Sequence, residues 1–374
     1  MKGMQNFQNS EVVDGVRWFY IPADEEIGLM LDGTNCSDDE MVIPPVLGGE
    51  SVESICIRHN DSHVRSVRIP KYVNDISPRS FKEFVFHKAF TVDEENQYFC
   101  AVDGVLYTKD MKKLVLCPRH HIKPVDIPFG VEDIGENAFS GSKVTAVRIP
   151  STVMRICDYA FQDCSFLREI ELPPSLTSVG WEAFAGTRIA EVNINSGLKR
   201  IEYGSFGKCE RLEKITVDQK NVAYKVVDGV LYHKRRKELV CCPDTRQSFC
   251  VPAWVKSIGP GAFNGCRHLA TLTIPEGVRH VDCAFSECNA LTSLTFPRSV
   301  RSIGECMFDI GNKKLKRVVF LGPPPVIPSD FASWNDMIET VYTSEFEAAW
   351  SDFIRENNLK GRCQKNFNHA PNLL

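Results

Sequence analysis

The chain has 374 residues, with 44 Lys and Arg against 48 Asp and Glu, so its formal net charge is −4. A charge this close to balance gives no whole-protein field that would gather nucleic acid or an anionic membrane surface. Hydrophobic residues make up 43% of the chain, which is enough for a full core and excludes a disordered or fibrous protein.

The N-terminal region, residues 1–47, precedes the regular part of the sequence. Its start, MKGMQNFQNSEVVDG, lacks the apolar run of about 7–15 residues that a signal peptide requires, and no later stretch approaches the roughly 18 apolar residues of a membrane helix. The sequence as written therefore predicts a cytoplasmic protein without membrane insertion. Cell-surface location or secretion would require an upstream signal peptide that has been removed. Residues 12–47 are expected to form a β-hairpin region that caps the array.

A repeat of about 22 residues dominates the rest of the chain. Two clear copies are VEDIGENAFSGSKVTAVRIP (131–150) and VKSIGPGAFNGCRHLATLTIP (255–275). Within each uninterrupted run, successive phenylalanine anchors lie 22 or 23 residues apart. A fixed period of this length is typical of a solenoid, in which each repeat stacks on the next. The anchors are Phe81, Phe139, Phe161, Phe184, Phe206, Phe263, Phe285 and Phe308.

Each repeat predicts one coil made of two short strands and a corner. In L-x-x-I-x-I-P, as at Leu167, Ile170 and Leu172, alternate side chains point the same way, and the proline that follows ends the strand. A second strand, such as Val255 to Ile258, leads into A-F-x-x-C, where we expect one or two turns of helix. Phe and Ala of this motif are expected to face the core.

Two inserts interrupt the period, at residues 100–118 (CAVDGVLYTKDMKKLVLCP) and 226–243 (VVDGVLYHKRRKELVCCP). The anchors Phe81 and Phe206 that precede them lie 125 residues apart, as do Asp103 and Asp228 and Tyr107 and Tyr232 within them, so a larger unit has been duplicated. The inserts are expected to be hairpins with solvated basic tips, and contact with an acidic partner is the alternative function for those tips.

The 15 cysteines contain no C-x-x-C pair, which excludes the usual zinc-knuckle and thioredoxin-like spacings. Several recur three residues after the anchor, where other copies have a different small residue. A metal site would not tolerate those replacements, so we expect buried, reduced thiols that behave as small hydrophobes. The slot holds Cys164, Cys209, Cys266 and Cys288, and Ser142, Thr187 and Gly311 replace them.

No catalytic, cofactor or metal site is predicted. The chain has neither a G-x-x-x-x-G-K-[ST] phosphate loop nor a G-x-S-x-G nucleophile elbow. Four-residue spacing of histidines makes a metal pair only on a helix, and the segment that carries such a pair precedes a strand. The candidates weighed were the pairs His59 and His63, His120 and His121, and Cys241 and Cys242 beside His233.

The pattern I-P-x-x-V-x-x-I-G-x-x-A-F-x-x-C-x-x-L-x-x-I-x-I-P resembles the BspA-type leucine-rich repeat of bacterial and protist proteins. The resemblance covers about residues 40–345, and the V-D-G-V-L-Y inserts resemble a variant coil of that family. It implies a β-rich α/β solenoid, a right-handed leucine-rich repeat superhelix of about 22–23-residue coils with short strands and short helical turns. Such proteins are often surface adhesins that bind host or matrix proteins.

The predicted organisation has three parts. Residues 1–47 form an N-terminal cap, residues 48–340 form the solenoid with its two inserts, and residues 341–374 form a C-terminal helical cap and tail. Within the last part, residues 344–358 predict an amphipathic helix that covers the final coil. Caps of this kind are expected because an open sheet edge invites aggregation.

The candidate ligand face consists of the outward positions of the L-x-x-I-x-I strands. If these strands stack in one parallel sheet, their exposed residues change from basic through acidic to hydroxyl-bearing along the array. The predicted function is a non-enzymatic scaffold that binds another protein through this face, and the alternative is a surface adhesin for host or matrix protein or carbohydrate. The face consists of Arg65, Arg68, Arg148, Glu169, Glu171, Glu191, Glu213, Lys214, Thr271, Thr273, Thr292 and Thr295.

Overall fold

The computed structural model describes residues 9–14, 16–20, 30–31, 39–56, 64–81, 84, 87–305, 312–326, 339–357 and 363–366. The chain forms two compact units, Met1–Arg188 and Ile189–Leu374. Each is built from β-solenoid turns of about 23 residues, which confirms the predicted solenoid. The anchor Phe308, the slot residue Gly311 and the pair His59 and His63 lie outside the described residues.

The first unit begins with an antiparallel hairpin and continues as short, mostly parallel strands. Its strands are β1 Asn9–Val13, β2 Val16–Tyr20, β3 Met30–Leu31, β4 Glu40–Val42, β5 Val46–Leu47, β6 Glu50–Ser51, β7 Ser54–Ile55, β8 Ser66–Ile69, β9 Asp75–Ile76, β10 Ala89–Val92, β11 Phe99–Val102, β12 Val105–Thr108, β13 Lys113–Leu116, β14 Val125–Asp126, β15 Asp133–Ile134, β16 Val147–Arg148, β17 Arg155–Ile156 and β18 Ser178–Val179.

The second unit has the same kind of short parallel strands, together with a helix near its C-terminal end. Its elements are β19 Glu191–Ile194, β20 Arg200–Ile201, β21 Lys214–Val217, β22 Tyr224–Val227, β23 Val230–His233, β24 Glu238–Cys241, β25 Ser248–Cys250, β26 Ser257–Ile258, β27 Thr271–Thr273, β28 His280–Val281, β29 Ser293–Phe296, β30 Ser302–Ile303, β31 Arg317–Phe320, β32 Glu339–Thr343, the 3-10 helix Ser344–Phe346, α1 Glu347–Glu356 and β33 Cys363–Asn366.

The strands of the candidate ligand face form several short ladders in each unit, not one uninterrupted sheet. In the first unit β4, β8 and β10 form one parallel ladder, and β14 pairs with β16 in another. In the second unit the ladders are β19 with β21, β25 with β27, and β29 with β31, β32 and β33. The breaks after β10 and β21 coincide with the two inserts, because the chain leaves the ladder there to form a hairpin. Residues 167–173 form no strand, although Leu167 and Leu172 are buried as predicted.

The corner that carries the Phe anchor is built from hydrogen-bonded turns, where the sequence predicts one or two turns of helix. The N–H of Ser140 donates to the Asn137 carbonyl at 2.9 Å, and the N–H of Ser142 donates to the Phe139 carbonyl at 2.8 Å. Asn137 has a φ of 55° and Gly141 a φ of 67°, left-handed conformations that an α-helix does not contain. These conformations leave the Phe139 N–H free to donate to the next coil, at Ala160 O, 2.7 Å away.

The anchors form columns of stacked rings inside each unit. In the first unit the Phe161 ring lies between those of Phe139 and Phe184, with centroid distances of 4.8 and 5.1 Å. In the second unit Phe263 and Phe285 stack at 5.5 Å. All five side chains are fully buried, so each coil supplies a ring to its neighbour's core.

The inserts form the antiparallel hairpins β11–β12–β13 and β22–β23–β24. The last strand of each pairs in parallel with the next coil, β13 with β15 and β24 with β26. In the second unit α1 places Trp350 in the core, where its indole N–H donates to Gly322 O at 3.0 Å. The predicted boundaries at residues 47 and 340 stay predictions.

Candidate functional site

In the first unit, all five candidate face residues are exposed. Arg68 lies in β8, with Arg65 just before that strand, and Arg148 lies in β16. Glu169 and Glu171 lie in the extended segment after Leu167. Alternate positions are buried, as at Val67 and Ile69, and this alternation turns the named side chains outward.

In the second unit, six of the seven candidate face residues are exposed and Thr295 is half-buried. Register brings two of them together, because Glu191 of β19 lies opposite Lys214 of β21. The threonines lie on the separate strands β27 and β29, apart from Thr292, which immediately precedes β29. The seven residues are Glu191, Glu213, Lys214, Thr271, Thr273, Thr292 and Thr295.

Several charges of this face are already paired with the neighbouring strand. Both carboxylate oxygens of Asp126 accept from Arg148 Nη1, at 2.8 and 3.1 Å. Lys214 Nζ lies 2.6 Å from Glu191 Oε1. Arg65 pairs with Asp39 at 3.4 Å. Exposed pairs of this kind add only about 0–1 kcal/mol to stability, but they neutralise the charges that would otherwise attract a ligand.

Four charged residues of the face keep their charge available. Among the described residues, Arg68, Glu169, Glu171 and Glu213 have no ion pair. Glu169 and Glu171 are two residues apart and therefore form the densest unpaired charge on the face of the first unit. Phe166, which precedes them on the same coil, is 52% exposed. Aromatic side chains are enriched at protein interfaces, so an exposed ring on this coil is a candidate contact.

Phe166 was not predicted from the sequence as part of the candidate ligand face, because the corresponding position varies between copies. It is Arg211 in LKRIEYGSFGKCERLEKITV and His268 in VKSIGPGAFNGCRHLATLTIP. The ring could have been noticed as the exception, because the copies at residues 198–217, 255–275 and 278–297 have Arg211, His268 and Ala290 there instead of phenylalanine.

A concavity of about 590 Å³ lies beside the first insert. It forms where residues 120–124 pass Lys88 and the hairpin turn at Asp103, and burial lowers the pKa of His121 there. In the second copy, Arg246 takes the position of His121, and its Nη2 donates to Asp228 O at 2.7 Å. The side chains at the position of His121 thus differ between the two copies. It is lined by Lys88, Asp103, His120, His121, Ile122, Lys123 and Pro124.

Cysteine and serine side chains in the small-residue slot after the anchor donate hydrogen bonds to backbone carbonyls. Cys164 Sγ donates to Phe139 O at 2.9 Å, and Cys288 Sγ donates to Phe263 O at 3.2 Å. Where serine replaces cysteine, Ser142 Oγ donates in the same way to a carbonyl of the preceding turn, Pro118 O, at 3.2 Å. In these three copies the slot residue therefore ties one coil to the one before it, whereas Thr187 Oγ1 donates within its own turn, to Phe184 O at 2.8 Å.

The other candidates for chemistry lie in structural positions. Cys241 and Cys242 are buried, and burial raises the pKa of Cys241 well above its usual range, so this thiol does not ionise near neutral pH. His233 is half-buried at the second hairpin tip, and burial lowers its pKa. Within the described residues, no group of three or more His, Cys, Asp or Glu side chains is arranged to hold a metal ion.

Among the helices that the structure describes, none is both long and apolar enough to span a bilayer.

The comparisons with known proteins agree on the repeat type. A family model described as a BspA type leucine rich repeat region matches residues 119–226 and 241–342 in six copies. Among curated proteins no match is found.

Several solved structures are similar to this chain. A leucine-rich repeat protein from Eubacterium ventriosum is 20% identical over 88% of this chain and 76% of its own, with a TM-score of 0.52. A leucine rich cell surface protein from Faecalibacterium prausnitzii is 18% identical, covering 92% and 97% of the two chains with a TM-score of 0.44. The pneumococcal vaccine antigen PcpA is 16% identical, covering 93% and 96%, with a TM-score of 0.46. At these identities the likeness concerns the fold alone.

Proposed function

Because the chain belongs to the BspA-type leucine-rich repeat family, we propose that it is a non-enzymatic scaffold that binds another protein through its exposed strand face. Leucine-rich repeat proteins generally bind other proteins, and the family and its fold are generally non-enzymatic. Several described groups that could carry chemistry, such as Cys241 and the thiols of the slot, are buried in the core and out of reach of a ligand. The surface, rather than a catalytic pocket, is then the part of each unit that can vary to suit a ligand.

The observation that carries the proposal is the unpaired acidic segment of the first unit. Glu169 and Glu171 are exposed, lack ion pairs among the described residues and follow Phe166, whose ring is also exposed, by three and five residues. A partner with a basic segment and an apolar side chain would satisfy all three groups together. The paired residues Arg65 and Arg148 belong to the same face but contribute shape rather than net charge.

The test uses the intact chain as bait for native cell lysate and surface fractions. The variant Glu169→Lys/Glu171→Lys reverses the proposed contact, and Glu94→Lys/Glu305→Lys makes the same change of net charge at exposed residues elsewhere. We expect the first variant to lose the captured protein and the second to retain it. Retention by both would place the binding surface away from residues 166–171.

The adhesin alternative places the same scaffold outside the cell and differs in the partner, a host or matrix protein or a carbohydrate. Twelve of the cysteines are present as thiols in the structure, so titration of thiols in protein from its native source separates the alternatives. Reduced thiols support an intracellular partner, since disulfides form and persist in oxidising compartments. Oxidised thiols together with capture from the surface fraction would support the adhesin.

A further inference from the structure

Four basic residues occupy one position in consecutive turns of the second unit. The Lys256 N–H donates to Lys237 O at 2.8 Å, the Arg279 N–H donates to Lys256 O at 2.9 Å, and the Arg301 N–H donates to Arg279 O at 2.7 Å. These backbone bonds fix the four residues as successive rungs, about 4.7–4.9 Å apart. We name Lys237, Lys256, Arg279 and Arg301 the basic ladder. It precedes β24, β26, β28 and β30, on strands other than those of the candidate ligand face.

The charges of the basic ladder are not used within the fold. All four side chains are exposed, and among the described residues none has an ion pair or a side-chain hydrogen bond. The carboxylate of Glu238, which follows Lys237 in the chain, pairs instead with Arg236 at 3.2 Å. Like charges opposite one another on neighbouring strands destabilise a sheet, so the fold gains nothing from this arrangement.

The equivalent position in the first unit does not carry a row of unpaired positive charges. Its rungs are Lys112, Glu132, Met154 and Thr177, joined by the same backbone hydrogen bonds of 2.8, 2.8 and 2.9 Å. Lys112 and Glu132 form an ion pair, and the other two rungs are uncharged. The coil geometry therefore accepts acidic, apolar and hydroxyl side chains at this position. Four cations in a row are a property of the second unit's sequence and not a demand of the solenoid.

From this contrast we propose that the basic ladder binds an acidic amphipathic helix of a partner protein. A helix with Glu or Asp at three- and four-residue intervals presents one carboxylate per turn, about every 5.4 Å. That spacing differs from the rungs by less than about 1 Å per step, which the long Lys and Arg side chains can absorb. Two arginines among the four rungs supply bidentate contacts to carboxylates.

Other polyanions fit the ladder less well. An extended peptide places side chains of one face about 6.6–6.8 Å apart and falls out of step within two rungs. Nucleic-acid binding proteins usually carry a net positive charge, whereas this chain has a formal net charge of −4. The proposal does not rest on the strand face, because the residues of the basic ladder precede other strands, β24, β26, β28 and β30.

The experiment measures binding of fluorescent peptides to the full chain at low ionic strength. One peptide carries Glu at alternating three- and four-residue steps along a helix, and a second has the same composition with the Glu residues scrambled around it. We expect the first to bind more tightly. The variant Lys256→Glu/Arg279→Glu/Arg301→Glu should weaken that binding about tenfold or more, because each exposed ion pair contributes a few-fold in affinity.

The control variant Arg188→Glu/Arg211→Glu/Lys220→Glu changes net charge equally at exposed residues outside the ladder, and its binding should stay within about twofold of the parent chain. Circular dichroism shows whether the charge-reversed variant folds. If it does not, Lys256→Gln/Arg279→Gln/Arg301→Gln removes the same charges and should also weaken binding of the first peptide. Equal binding of both peptides, or an unchanged affinity in both ladder variants, overturns the proposal. Tighter binding of a heparin fragment or a single-stranded oligonucleotide through the ladder overturns it in favour of a glycan or nucleic-acid partner.

Discussion

Replacing Asn96 by alanine should destabilise the first insert more than any exposed substitution. The side chain of Asn96 is fully buried and uses four hydrogen bonds. Its Nδ2 donates to Pro70 O at 2.8 Å and Val73 O at 3.0 Å. Its Oδ1 accepts from the N–H groups of Tyr98 and Phe99, both at 2.8 Å. The side chain thus fastens the start of the hairpin to the preceding coil.

The magnitude follows from the number of bonds. A net contribution of about 0.5–1.5 kcal/mol for each hydrogen bond gives about 4 kcal/mol for the four. Because a chain of this length can unfold in parts, the loss is best measured locally, by hydrogen exchange of peptides that cover residues 93–108. A change of 4 kcal/mol in the opening free energy accelerates exchange roughly 1,000-fold when opening is at equilibrium.

The duplication supplies a matched experiment. Asn221 is the equivalent residue, with Nδ2 donating to Asn195 O and Leu198 O and Oδ1 accepting from the N–H groups of Ala223 and Tyr224. Its replacement should accelerate exchange in residues 218–233 and leave residues 93–108 unchanged. Gln97→Ala, beside Asn96 but exposed, should have little effect. Acceleration below about tenfold in the Asn96 variant would refute the assignment of the four bonds to stability.

Three further predictions concern the first unit. Phe161→Ala removes a ring held between Phe139 and Phe184 and should cost about 3–5 kcal/mol in chemical denaturation; a loss under about 1 kcal/mol would contradict the stacked core. Cys164→Ser keeps a donor for Phe139 O, so it should destabilise less than Cys164→Val, whose added bulk costs about 1–3 kcal/mol; the reverse order would show that an apolar side chain matters more in the slot than the donor or the size. Burial lowers the pKa of His87 to about 4, so the folded state resists protonation. As the pH falls from about 6.5 to 4, only the unfolded state gains this proton, and stability should fall by about 1.4 kcal/mol per pH unit. A His87→Gln variant should lack this component of the pH dependence.

The period, the anchors and the solenoid were predictable because each depends on burial, which repeats in the sequence as it repeats in the fold. Phe139, Phe161 and Phe184 are all completely buried, as their phase predicted. The corner was less predictable, since a left-handed Asn137 depends on the hydrogen bonds that the next coil offers. No local pattern in the sequence specifies that partner.

The charge of the candidate face was harder to predict than its position. That Arg148 points outward follows from alternation along the strand, and the structure places it there. Its pairing with Asp126 depends on register between coils, which sets two residues 22 positions apart side by side. The buried asparagines could have been found from the sequence, because Asn96 and Asn221 are separated by the same 125 residues as the inserts.

The two copies of the duplicated segment show which positions are free to acquire function. Some buried residues have kept their identity, as with Tyr107 and Tyr232, which are both almost fully buried, and others have changed to another residue that is also buried, as with Leu116 and Cys241. Exposed residues have diverged: the tip that reads TKDMKK in one copy reads HKRRKE in the other. In a solenoid any exposed position is repeated at each turn, so a few substitutions at one position convert a neutral row into a charged one. Binding specificity in this protein is therefore expected to reside in rows of exposed residues, such as the basic ladder, whereas single residues of the core specify the fold.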